Sequence, residues 1–290
     1  MPRPHPLDLY RLSVQHPLAE VDFIDRLWAH YRPGHEPPLL LREDFAGTCA
    51  TAGAWVACDP DRQALAVEID EPTAQWAAER LTDPRSQADL HIVVADVMEI
   101  DEPATQITLA LNFSTLIYHD EAALLGYLRH ARNCLSDDGL LILDLFGPGS
   151  APSVQTRMIE PDEFDIPAFT YRWEQRHYDP HTQRIDCRIH FEHDDGQRLT
   201  DAFVYDWRLW PMDTLLGLMH QAGFATAQAW GPPPESPPEP PPEPRSEPVA
   251  PGEAGESGEL GEGQSVGRFV PLSAVPSSDH DWSVYVVGVI

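Results

Sequence analysis

Leu39-Leu40-Leu41-Arg42-Glu43-Asp44-Phe45-Ala46-Gly47-Thr48-Cys49 is the stretch whose reading decides the fold. Three consecutive leucines read as a strand buried on both faces, the pattern of a parallel sheet. Acids close the strand, the small residues Ala46, Gly47 and Thr48 make a tight turn, and 48–57 reads as a helix. A strand, a turn and a helix N-terminus aim backbone N–H groups and the positive end of a helix dipole at one point, where a ligand's anionic group sits. The matching half of the signal lies 21 positions beyond Gly47. There Ala64-Leu65-Ala66-Val67-Glu68 is a second buried strand ending in an acid. A carboxylate at that place accepts hydrogen bonds from both hydroxyls of a ribose. The pair predicts a nucleoside-bearing ligand at the carboxyl edge of a doubly wound sheet.

Outward from this pair, strands and helices keep alternating. Upstream, 8–32 reads as a helix, with Pro17 suited to a first helical turn and Val21, Ile24, Leu27, Trp28 and Tyr31 on one face; Pro33-Gly34 ends it. Downstream, Pro72 starts a helix through Leu81, and 90–95 is a third strand with Asp96 at its tip. A fourth strand, 107–111, ends at Asn112-Phe113-Ser114. A helix at 121–135 stops at the turn 136–139, and 140–146 is the fifth strand. This order predicts a parallel sheet with right-handed crossovers. The expected division is an N-terminal helical segment at 1–37 and a ligand-binding core at 38–147.

The rhythm then changes. Segments 169–175, 184–193 and 199–209 alternate and are rich in aromatic and β-branched residues, with turns at Asp179-Pro180-His181-Thr182 and Asp194-Asp195-Gly196. They predict a three-stranded antiparallel meander, inserted at 148–210, that covers the pocket or joins two copies of the chain as a homodimer. Core sequence resumes at 211–290, with a helix at 212–221, a sixth strand at 224–230 and a last apolar strand at 282–290. The Pro/Glu/Gly/Ser run at 231–267 has almost no apolar side chains to offset its ordering entropy, so it is expected to be disordered.

A chain of 290 residues with 42% hydrophobic content is long enough for a full core. Its formal charge of −28 repels phosphate backbones and anionic lipid, which argues against nucleic acid and membrane partners. No apolar run approaches the roughly 20 residues of a membrane span. Met1-Pro2-Arg3-Pro4-His5 does not lead into an apolar signal core, and Cys49, Cys58, Cys134 and Cys187 lack metal-type pair spacing. A cytoplasmic protein with reduced thiols and no metal site is expected.

From about residue 39 onward the chain resembles the class I S-adenosylmethionine-dependent methyltransferases. Within them it is similar to a bacterial subgroup whose first motif, Leu-Arg-Glu-Asp-Phe-small-Gly-Thr, appears here as Leu41 through Thr48. The segment Tyr205-Asp206-Trp207-Arg208-Leu209-Trp210 and the apolar last strand recur in that subgroup too. The resemblance implies an α/β fold, a Rossmann-like sheet of seven strands whose seventh is antiparallel and lies next to the fifth. It also implies S-adenosyl-L-methionine as cofactor. Glu43 then faces the methionine amino group, and Gly47 lets the backbone approach the ligand. Glu68 binds the ribose hydroxyls, Asp96 the adenine amino group, and Val97 flanks the ring. Asn112 and Phe113 fall beside the departing methyl. Phe45 and Cys49 stand where the wider family has glycine, so the broad Gly-x-Gly-x-Gly pattern is absent.

A small molecule is the expected methyl acceptor, with Tyr118, His119, Tyr171, Trp173 and Arg208 as candidates to touch it; no catalytic residue is assigned. Tyr10 and Gln15 are candidates to reach the cofactor from the N-terminal segment. His177, His181, His190 and His193 alternate across strands and turns, which suits sheet-face positions rather than metal ligands. Two other readings stay open: an NAD(P)-dependent oxidoreductase, which shares the strand, turn and distant acid, and a non-catalytic binding or scaffold protein on the same fold.

Overall fold

The computed structural model describes residues 4–81, 83–147, 152–161, 166–233, 269–272 and 282–290. The chain opens with helices α1 (Pro6–Val14) and α2 (Pro17–Tyr31), strand β1 (Leu40–Asp44), helix α3 (Ala50–Cys58) and strand β2 (Gln63–Glu68). Helices α4 (Glu71–Arg80) and α5 (Pro84–Asp89) lead to strands β3 (Leu90–Val94) and β4 (Thr105–Ala110), helix α6 (Glu121–Asn133) and strand β5 (Leu135–Phe146). Strands β6 (Ser153–Ile159), β7 (Phe169–Asp179), β8 (Arg184–His193) and β9 (Arg198–Arg208) follow. Helix α7 (Met212–Ala222) and strands β10 (Thr226–Gly231), β11 (Val270–Pro271) and β12 (Ser283–Val289) complete the described α-helices and strands, with short 3-10 turns at Val97–Glu99 and Ser114–Ile117.

The large sheet runs β11-β10-β12-β5-β4-β1-β2-β3. Strands β3, β2, β1, β4 and β5 are mutually parallel, and β12 lies antiparallel between β5 and β10. This is the expected arrangement of seven strands, extended at one edge by the two residues of β11. Chain order reverses between β1 and β4, and the crevice at that switch point is where open α/β sheets bind ligands. Leu141, Leu143 and Leu145 of β5 pack towards α6 and α7, while Leu140 and Ile142 pack towards α2 and α3. Burial on both faces is why these strands read as unbroken apolar runs. No described helix is long and apolar enough to cross a membrane.

The second sheet, β6-β7-β8-β9, is antiparallel throughout. Along β8, Ile185, Cys187, Ile189 and Phe191 point inward and their neighbours outward. The inner face meets α1 through Leu9 and Tyr10. It meets the carboxyl end of the large sheet where Trp207 lies edge-on to Phe113 and Phe146.

Several expectations need correction. Residues 8–32 form parts of two helices, because a residue before proline is held off the helical region and His16 sits at ψ 63. Helix α5, capped by Asp83 through the N–H groups of Arg85 and Ser86, was not expected. Among the described residues the meander has four strands: β6 is an edge strand with five exposed residues in a row, so it shows no alternation to read. Strand β7 continues past Gln175 through a bulge to Asp179. The 136–139 turn belongs to β5, where pairing with β4 skips from Leu135 to Leu140. Gly231 still belongs to β10, and from residue 234 the run expected to be disordered lies outside the described residues.

Candidate active site

Glu43 is buried at the tip of β1, and its Oε2 accepts the Ala52 N–H (2.9 Å) in the first turn of α3. Burial pushes this carboxyl from 4.5 up to about 8; the Ala52 N–H opposes the rise, and the carboxylates of Glu20 and Glu68 add to it. Glu68, at the tip of β2, accepts the Gly47 N–H on Oε2 (2.7 Å) and the Asp70 N–H on Oε1 (2.8 Å). The second strand acid is thus tied to the turn after the first. Gly47 has φ 53, and a Cβ there would meet nothing closer than the Phe45 carbonyl oxygen at 3.9 Å, so the turn faces open space. Phe45 (φ 56) and Cys49 (φ 54) take the same left-handed conformation without being glycine. The positions where the resembled family has glycine therefore keep a glycine-like backbone. That costs roughly 1–2 kcal/mol per residue, a strain typical of functional turns.

Arg42 is fully buried between Asp44 and the loop after β3. Its Nε donates to Asp44 Oδ1 (2.6 Å), Nη1 to the Ile100 carbonyl (2.6 Å) and Nη2 to the Val97 carbonyl (2.8 Å). Tyr127 donates its hydroxyl to Asp44 Oδ2 (3.0 Å). The loop after β3 is thereby pinned to β1. In it Asp96 is exposed, with Oδ1 accepting the Met98 N–H (2.9 Å), and Val97 is buried. Glu43, Glu68 and Asp96 accordingly stand at the ends of three adjacent strands, β1, β2 and β3. Tyr118 lies across from Asp96: burial and the charges of Asp96 and Asp44 raise its hydroxyl, and its ring packs on Tyr127 (5.4 Å) and Phe45 (6.3 Å).

Beyond this turn a cavity of about 980 Å³ lies between the large sheet, the N-terminal helices and the meander. Asn112 and Phe113 reach it from β4 with consecutive left-handed conformations, φ 57 and 61. The Phe113 N–H donates to Asp144 Oδ1 (2.7 Å), so a β5 carboxylate holds the bend. Burial pushes Asp144 from 3.8 up to about 7, against the N–H groups of Phe113 and Asn112 and with help from Glu20. Helix α2 contributes Glu20, which accepts the Thr51 hydroxyl and is raised above its ordinary range by burial. Gln15 accepts the Thr48 hydroxyl (2.5 Å), tying the N-terminal segment to the turn, and Tyr10 lines the cavity.

Tyr171 and Trp173 line this cavity, and of the expected cofactor residues Asn112 does. Tyr118, His119 and Arg208 do not line it. Arg208 donates to the His119 carbonyl (2.9 Å) and lies over Trp210 (3.9 Å), whose Nε1 donates to the Tyr118 carbonyl (3.2 Å). These residues clamp the loop after β4 onto β9. His190 pairs with Glu174 (2.9 Å) on the meander. The sequence reading missed Glu20 and Asp144. Each carried a signal: Asp144 is the one acid in Leu140-Leu141-Ile142-Leu143-Asp144-Leu145-Phe146, and Glu20 falls on the buried stripe of α2.

No protein-family model and no curated protein matches the sequence. Solved structures do match. The CcbJ methyltransferase of Streptomyces caelestis superposes with a TM-score of 0.62 at 13% identity, over 98% of this chain and 95% of its own. SAM-bound CalS10, an amino pentose methyltransferase of Micromonospora echinaspora, gives 0.59 at 13% identity over 78% and 89%. The sugar N-methyltransferase KedS8 of Streptoalloteichus sp. gives 0.57 at 19% identity over 77% and 86%. The fold is that of the S-adenosylmethionine-dependent methyltransferases. On this methyltransferase fold the strand-tip residues suit a cationic nucleoside. The charges that shift Glu43 are both negative, so an ammonium group would relieve them. Each oxygen of Glu68 keeps a second lone pair for a ribose hydroxyl, and the open side of Gly47 leaves room for the ligand to approach.

Proposed function

We propose that this protein is an S-adenosylmethionine-dependent methyltransferase acting on a small-molecule acceptor. The observation that carries the reading is Glu43: a buried acid at the first strand tip, with carboxylates as its charged neighbours, beside a Glu68 locked to the Gly47 turn. Glu43 would take the methionine ammonium, Glu68 the ribose hydroxyls, and Asp96 and Val97 the adenine, in a loop held by Arg42. Bound there, the sulfonium supplies a methyl group already activated by its positive charge. The protein's share is alignment and exclusion of water. Asn112 and Phe113 stand where the nucleoside crevice meets the cavity, and Tyr171 and Trp173 wall the acceptor side.

Calorimetry tests this directly. Wild type is expected to bind S-adenosylmethionine and S-adenosylhomocysteine and to ignore NAD, with Glu68→Ala binding neither nucleoside well. No heat at millimolar nucleoside with wild type sinks the proposal. If NAD binds instead, the oxidoreductase reading takes its place.

A further inference from the structure

The cavity has a chemical bias as well as a shape. Two carboxyl groups reach it, Glu20 from α2 and Asp144 from β5; the charge of Glu20 helps raise Asp144, while Glu20 itself has His16 of the cavity wall as its charged neighbour. Asp144 is held in place by the Phe113 N–H, at the bend after β4 that lines the cavity. Aromatic side chains of the meander supply another wall. Tyr205 and Trp207 stack at 4.2 Å, and Trp173 lies 6.1 Å from each of them. The one arginine among the described lining residues, Arg157, is engaged by the Ser13 carbonyl and lies over Tyr171 at 5.7 Å. Paired acids and aromatic faces together select a cation: the rings attract it through their quadrupole and the carboxylates pair with it. A neutral alcohol of the same outline gains neither.

We propose that the acceptor is a primary or secondary amine with an apolar body, bound as its ammonium ion between Asp144 and the aromatic face of the meander, with Asp144 taking the proton from nitrogen. This rests on the methyltransferase reading and names the substrate class of that site. The ammonium passes one proton to the Asp144 carboxylate and leaves a neutral amine. The nitrogen lone pair then forms the new C–N bond to the methyl of the sulfonium donor. The C–S bond breaks with its electrons going to sulfur, so the positive charge moves from sulfur to the N-methylammonium product. Glu20 balances the charge of that product on leaving. The apolar rings account for the body of the molecule, since they bury area that a small bare amine does not fill.

The test compares phenethylamine with phenethyl alcohol on the protein saturated with S-adenosylhomocysteine, by calorimetry and by thermal shift. The amine is expected to bind at least about tenfold tighter than the alcohol, as an ion pair over aromatic rings exceeds a neutral contact. Asp144→Asn keeps an oxygen for the Phe113 N–H and should bring that ratio near one while S-adenosylhomocysteine still binds. Labelled methyl from S-adenosylmethionine should appear on the amine and not on the alcohol. Equal binding of amine and alcohol, binding of neither, or an unchanged ratio in Asp144→Asn overturns the inference. Should wild type fail to bind S-adenosylhomocysteine, the methyltransferase reading falls, and the amine-to-alcohol ratio on the unliganded protein still decides this one.

Discussion

In the large sheet, Arg42 and Asp44 face each other with no exposure, and the guanidinium also holds the carbonyls of Val97 and Ile100. In the meander, Arg198 pairs with Glu192 and Arg184 with Asp206 on the outer face, where all four side chains are at least 37% exposed. The same chemistry does different things in the two places. A buried pair has given up its water and survives only with every hydrogen bond made, so it holds its loop in one position. An exposed pair keeps its hydration and contributes little. The meander's charges keep its outer face wet, which leaves its inner face free to be aromatic and form a pocket wall.

The sharpest way to break this contrast is Arg42→Met. It leaves Asp44 buried without its cation and should destabilise the protein by about 3–5 kcal/mol, read as a fall in melting temperature. Adding Asp44→Asn should recover part of that loss, because the orphaned charge goes with it. Without recovery, the network is not what holds the loop after β3. Next in size is Glu68→Ala, which removes the charged acceptor proposed for the two ribose hydroxyls. It should weaken S-adenosylhomocysteine by about 1.5–3 kcal/mol, roughly 10–150-fold, by calorimetry. Unchanged affinity would move the ribose site elsewhere.

A pH series sharpens the comparison from the side of titration. The native protein keeps protons on Glu43 up to about pH 8 and on Asp144 up to about pH 7 that an unfolded chain loses near 4.5 and 3.8. The native state therefore binds more protons between those limits, and stability must fall as pH rises from about 4.5 to 8. The melting temperature of unliganded protein should drop across this window, and Glu43→Gln should flatten the slope. A flat wild-type profile would mean that the Glu43 carboxyl is ionised when buried. The smallest effect belongs to Arg198→Ala on the meander. It should cost no more than about 1 kcal/mol and leave nucleoside affinity alone. A loss like that of Arg42→Met would erase the difference between the sheets.

Much of the strand-tip crevice was legible because a parallel strand buried on both faces has one place for an acid, its tip. Glu43, Glu68 and Asp96 announced themselves against Leu, Ala and Val. The Gly-poor turn was less legible, since nothing in the residue types of Phe45 and Cys49 signals a left-handed backbone. Strand β6 was illegible for a physical reason as well: an edge strand exposed along most of its length has no buried face to impose alternation.

The sequence by itself determined the doubly wound sheet, the order of its strand-tip acids and the presence of an aromatic meander, because periodicity and burial are local properties of a chain. Tertiary structure alone decided that Glu20 and Asp144 join Tyr171 and Trp173 in one cavity while Tyr118, His119 and Arg208 fasten a loop outside its lining. Those residues come from distant elements, and whether they meet depends on how the helices and the second sheet settle over the carboxyl edge of the first. No local pattern encodes that.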